Sequence, residues 1–135
     1  MRPIIFRGQL PSGAWVYGDL RQYPSGNVAI RSDEWGHTMA VEMDTIGQYS
    51  GMRDVSSIPI YEGDLIKAVL PETDVFSRFE WPVAEVIFMD GAFGLDDGHG
   101  GITPLRSFAP DVMLQVVGNI HDNPISKEGW NDNAN

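Results

Sequence analysis

The chain has 135 residues, 42% of them hydrophobic, no cysteine and a formal net charge of −10. That length buries one ordinary core or two very small ones without a metal or a cross-link, and the missing cysteines exclude disulfides, zinc thiolate sites and thiol nucleophiles. Residues 1–67 hold six Lys/Arg against eight Asp/Glu and residues 68–135 hold three against eleven, so the halves carry −2 and −8; this is a poor basis for direct nucleic-acid binding, which draws its affinity from Lys/Arg displacing counterions.

Alternation with a period of two dominates, and sustained helical periodicity is absent. The first predicted strands are Ile4–Arg7 and Ala14–Leu20, separated by the turn Leu10-Pro11-Ser12-Gly13, in which proline fixes one dihedral and glycine permits a positive one. After the turn cluster Tyr23-Pro24-Ser25-Gly26-Asn27, a second pair, Val28–Ile30 and Met39–Glu42, flanks the polar tip Ser32–His37. Residues 44–58 change character: Asp44-Thr45 caps one short helical turn, Gly47 ends it, and Gly51–Ser57 reads as polar and irregular. A domain boundary is expected there.

From Ile58 onward the pattern is Ile60-Tyr61, the turn Glu62-Gly63-Asp64, the strand Leu65–Leu70, a polar excursion through Phe79, and the strand Pro82–Met89. Asp90-Gly91 supplies a tight turn into Ala92–Leu95. Thr103–Phe108 reads as a loop with a short helical turn, and Met113–Ile120 as a last strand. The expectation is an all-β protein: an N-terminal four-stranded module with its linker over residues 1–57, and a small Src-homology-like β-barrel over 58–124, whose closure would remove exposed edges. Residues 125–135, polar and rich in asparagine, read as a disordered tail.

Two stretches are more specific than the rest: Ile46-Gly47-Gln48-Tyr49-Ser50-Gly51-Met52 followed by Tyr61-Glu62-Gly63-Asp64, and Val116-Val117-Gly118-Asn119-Ile120-His121-Asp122-Asn123-Pro124. Together with Ile5-Phe6-Arg7-Gly8 and Trp15-Val16-Tyr17-Gly18-Asp19-Leu20 they resemble the YopX family, small proteins carried mainly by bacteriophages and prophages. The resemblance runs in order from about residue 4 to residue 124, with a weak stretch at about 70–85. It implies a domain of the small-barrel class and a phage context, and it brings no activity.

Each chemistry-bearing cluster has a structural reading beside it. Glu62 and Asp64 flank Gly63 as a pair suited to metal or acid-base work; alternatively Gly63 takes a conformation other residues resist, while Asp64 bonds backbone amides to start the next strand. The segment Asp90–Gly101 has five glycines, three aspartates and one histidine, yet lacks the alternate acidic ligands and closing glutamate of a calcium loop and the lysine of a phosphate loop. It reads as a negatively charged hairpin tip. His37, His99 and His121 show no metal-ligand spacing, and no serine sits in a nucleophile elbow. No catalytic residue, cofactor or metal is therefore expected. The candidate protein-contact residues are Gln48, Tyr49, Tyr61 and Glu62, with Gln48 and Tyr49 as a recognition ridge where the two halves join.

The leading expectation is a non-enzymatic accessory protein acting through a protein partner or through self-association into a homo-oligomer. Two rivals stand beside it: an acidic nucleic-acid mimic that occupies a host DNA-binding protein, and a metal-dependent hydrolase or nuclease using Glu62, Asp64, Asp90 or His121. No apolar run approaches the roughly 18–20 residues of a spanning helix, and the N-terminus lacks a signal peptide's apolar core. The expected location is the cytoplasm, away from membranes.

Overall fold

The computed structural model describes residues 3–69, 83–108 and 112–123. Eleven strands and two short 3-10 turns make up the described chain, an all-β architecture in two compact units divided between Gly51 and Met52. The division lies within residues 44–58, inside a strand. Unit one carries four Lys/Arg and five Asp/Glu and unit two five and fourteen, which gives −1 and −9.

In the first unit, β1 (Phe6–Gln9), β2 (Trp15–Gln22), β3 (Val28–Ser32) and β4 (Thr38–Ala40) form an antiparallel meander. Each predicted strand is present, shifted by one or two residues. The turn residues act as read: Gly13 N–H donates to Leu10 O at 2.8 Å and Gly26 N–H to Tyr23 O at 2.9 Å. A 3-10 turn at Met43–Thr45 follows, anchored where Thr45 Oγ1 accepts the Gln9 N–H at 2.8 Å.

The next element departs from the sequence reading. Gly47–Arg53 is a strand, β5, where Gly47 was expected to end a helical turn and Gly51–Ser57 to be irregular, and it returns along the free side of β1 to give the order β4-β3-β2-β1-β5. Propensity concealed it. Glycine, glutamine and serine are poor strand formers, but β1 has an unpaired edge, and pairing with it satisfies the backbone of both chains. Val16, at 3% exposure, and Ile30, at 0%, lie on the buried face of this sheet.

In the second unit, β6 (Pro59–Tyr61) completes the first order beside the end of β5, whose last residues, Met52 and Arg53, belong to this unit. A five-stranded sheet then runs β10-β9-β8-β7-β11, from β7 (Asp64–Val69), β8 (Ala84–Met89), β9 (Ala92–Asp96), β10 (Ile102–Pro104) and β11 (Met113–Asn119). Its core is Ile60, Ile66, Ala68, Ala84, Val86, Leu95, Leu105 and Leu114. These are the inward positions of alternating strands, and Leu105 comes from the 3-10 turn Leu105–Ser107. β10 appears where a loop was expected, because an edge strand tolerates Pro104.

The expected closure of this unit into a barrel is not seen. β10 and β11 are the two ends of the order, and among the described residues no pairing joins them. The expected tail, 125–135, and the predicted ends of the strands at Leu70 and Pro82 lie outside the described residues.

Candidate functional site

The four contact residues named from sequence divide between the units. Gln48 and Tyr49 lie on β5; Gln48 is half-buried opposite Phe6, whereas Tyr49 is 6% exposed and donates its N–H to Ile5 O at 2.8 Å. Tyr61 ends β6, also at 6% exposure, and Glu62 is half-buried in the following turn. Neither tyrosine offers a free ring to a partner, so an exposed ridge at Gln48-Tyr49 reduces to Gln48 alone.

The turn that follows Tyr61 is held on three sides. Asp64 is buried at 2% exposure, and its Oδ2 accepts the Tyr61 N–H at 2.8 Å. Gly63, at φ +90°, donates to Val86 O at 2.8 Å and accepts from Ile120 N–H at 2.9 Å. A side chain at that φ would be strained, which accounts for glycine between the two carboxylates. The cluster ties β7, β8 and the end of β11 together.

The other signature segment is spent in the same way. Asn119 Oδ1 accepts the N–H groups of His121 and Asp122 at 2.9 and 2.8 Å, while Asn123 N–H returns to Asn119 O at 2.8 Å. In the acidic hairpin region, Asp96 Oδ1 accepts from Gly98 N–H at 2.9 Å, and Asp97 Oδ1 from His99 and Gly101 at 2.8 and 3.1 Å. The His99 amide holds the Asp97 carboxyl below its ordinary range, burial opposes this, and the Gly101 amide adds to the lowering.

Sequence reading missed Asp54. Its Oδ1 accepts the N–H groups of Ser56 and Ile58 at 2.8 and 2.9 Å, and its Oδ2 reaches 62 residues along the chain to the Val116 N–H at 2.9 Å. Val55 N–H donates to Leu114 O at 2.8 Å alongside. The turn therefore covers the outer edge of β11, a common defence against edge pairing. Burial raises the Asp54 pKa, but the Val116, Ile58 and Ser56 amides outweigh it and leave the carboxyl below the ordinary value of 3.8. The available signal was the Asp-x-Ser start of a local side-chain turn.

Glu62 lies in the turn before β7, Asp64 opens β7, and Asp90 and His121 lie in other turns; among the described residues no group of three or more His, Cys, Asp or Glu could hold a metal. No described helix is long and apolar enough to cross a membrane.

Concave surfaces among the described residues include one in each unit. In the second unit a pocket of about 280 Å3 is lined by Met52, Val55, Leu105, Phe108, Val112 and Met113, with Arg53 and Asp54 in its wall. In the first unit a groove of about 720 Å3 of mixed polar and apolar lining runs over the facing alanines Ala29 and Ala40, with Tyr23, Asn27, Thr38 and Glu42 among its walls. Large apolar side chains also stand in solvent, among them Phe88 at 53% and Met89 at 48% at the end of β8.

The family model described as YopX protein matches residues 6–126. No curated protein matches the chain.

Proposed function

The chain belongs to the YopX family, and from that premise we propose that it is a phage-type accessory protein that works in the cytoplasm by protein contacts and self-association, without catalysis. The supporting observation is how the polar and apolar side chains are used. Asp64 and Asn119 of the signature segments accept backbone N–H groups, while Phe88 and Met89 are both exposed. Reactive groups need free valences aimed into a cleft; apolar side chains in water gain by being covered.

The second unit supports the finer reading of a small Src-homology-like barrel. Four strands follow one another in the sheet, a 3-10 turn comes after the fourth, and the fifth pairs with the first. Such barrels serve as contact modules, an argument by fold analogy. Nuclear Overhauser contacts between β10 and β11 would establish closure.

The reading is tested by light scattering on the purified chain together with affinity capture from phage-infected cells. An oligomer, or a partner retained at a defined ratio, is expected. A monomer that captures nothing overturns it.

A further inference from the structure

The chain contains two Asp-Gly steps, Asp90-Gly91 and Asp97-Gly98, and the fold treats them in opposite ways. Aspartate before glycine can close on itself: the glycine nitrogen attacks the side-chain carboxyl carbon, and with no Cβ on the glycine nothing crowds that approach. As dipeptides the two steps are equivalent. What separates them is the geometry of each turn.

Asp97-Gly98 is held at both reacting groups. The Asp97 carboxylate accepts the His99 and Gly101 N–H groups at 2.8 and 3.1 Å, and the Gly98 N–H, on the nitrogen that would attack, donates to Asp96 Oδ1 at 2.9 Å. The same amides, that of His99 foremost, lower the Asp97 pKa, and an ionised carboxylate is a poor electrophile. Asp90-Gly91 is exposed, and among the described residues neither the Asp90 carboxylate nor the Gly91 N–H makes a hydrogen bond.

The backbone at Asp90 is also set for ring closure. The two central turn residues have φ of 54° and 81°, the type I′ arrangement of a two-residue hairpin. Type II′, the other turn that joins strands at this length, needs the same positive φ at its first central position. The two differ by rotation of the Asp90–Gly91 peptide plane, which brings the Asp90 ψ to about −120°. At that ψ the Cβ of an L-residue eclipses the following nitrogen, as a five-membered ring through both requires. A Cβ placed at Gly91 meets nothing within 4 Å. The tip therefore has room to rotate while the pairs Met89↔Ala92 and Phe88↔Phe93 stay closed.

We propose that Asp90 is a site of spontaneous isomerisation, through a succinimide formed with Gly91. The Gly91 nitrogen bonds to Cγ of the protonated carboxyl, and the carboxyl hydroxyl leaves with the amide proton as water. Water then adds to either ring carbonyl. Opening at Cγ restores aspartate, whereas opening at the Asp90 main-chain carbonyl leaves the chain linked through Cγ with a free α-carboxylate. No other reactant enters. The isoaspartyl product lengthens the backbone by one carbon between β8 and β9, which displaces the register of the hairpin tip.

The test holds the full chain at about pH 5, roughly one unit above the ordinary aspartate pKa, and follows both sites with an endoprotease that cleaves before aspartate but not before isoaspartate. Mass spectrometry of the peptides gives the two rates. Isoaspartate is expected at position 90 at least about 10-fold faster than at position 97, whose hydrogen bonds must break first. In urea, where both turns are lost, the rates should converge. Asp90→Asn, which tolerates the same φ, should close the same ring with loss of ammonia and give the same two products. Equal rates in the folded chain, a faster rate at position 97, or a difference that survives in urea each overturns the proposal. So does a folded chain in which position 90 is stable while both positions convert in urea.

Discussion

Asp54 shows how much one buried side chain can organise. Its carboxylate accepts three amides at 2.8–2.9 Å, two within its own turn and one on β11. Hydrogen bonds to a charged acceptor are each worth about 1.5–3 kcal/mol, but water replaces the exposed Ser56 and Ile58 amides' partner more readily than that of half-buried Val116. Asp54→Ala is therefore expected to cost about 2–4 kcal/mol in urea unfolding. The same group gives a pH dependence. Its folded pKa lies below the ordinary 3.8, so the unfolded chain takes up the proton first. The stabilisation is complete above pH 3.8 and drains away as pH falls through the folded value. Asp97 shifts in the same direction, so the comparison that isolates Asp54 is wild type against Asp54→Asn over that range. The wild type should lose stability more steeply, and parallel curves would mean the carboxylate's charge contributes nothing.

At the scale of the strand, Gly18 has the tightest constraint. It pairs with Phe6 of β1 on one side and Ser32 of β3 on the other, at φ +155°. A Cβ built there falls on the Arg31 carbonyl oxygen, far inside contact distance. Because a backbone oxygen in a central ladder cannot step aside, Gly18→Ala should cost about 3 kcal/mol or more, the range of severe backbone and packing errors. A change below about 0.5 kcal/mol in denaturant midpoint experiments would mean the sheet gives way there. The strand Ala14–Leu20 was legible from its alternation, yet nothing in Tyr17-Gly18-Asp19 announces that the glycine is squeezed by a third strand. The same limit hid β5 and β10. Their residues, Gly47-Gln48 and Thr103-Pro104, carry weak local preference, and it is the free edges of β1 and β9 that draw them into ladders. Where local chemistry decides, as at Asp90-Gly91 or Leu10–Gly13, sequence sufficed. Asp54 escaped for the opposite reason, since the amide that gives it meaning is 62 residues away.

Across the whole molecule, net charge works against assembly. The net charge of −10 repels any second copy over distances up to the Debye length, about 30 Å at 0.01 M salt and about 10 Å at 0.1 M. Burial of exposed apolar side chains such as Phe88 and Met89 does not weaken with salt. Self-association should therefore be weak at about 0.01 M and strengthen towards 1 M, where screening leaves repulsion a range of only about 3 Å. Sedimentation velocity across this series measures the curve. A curve that falls as salt rises would assign the contact to charge pairs instead of apolar burial.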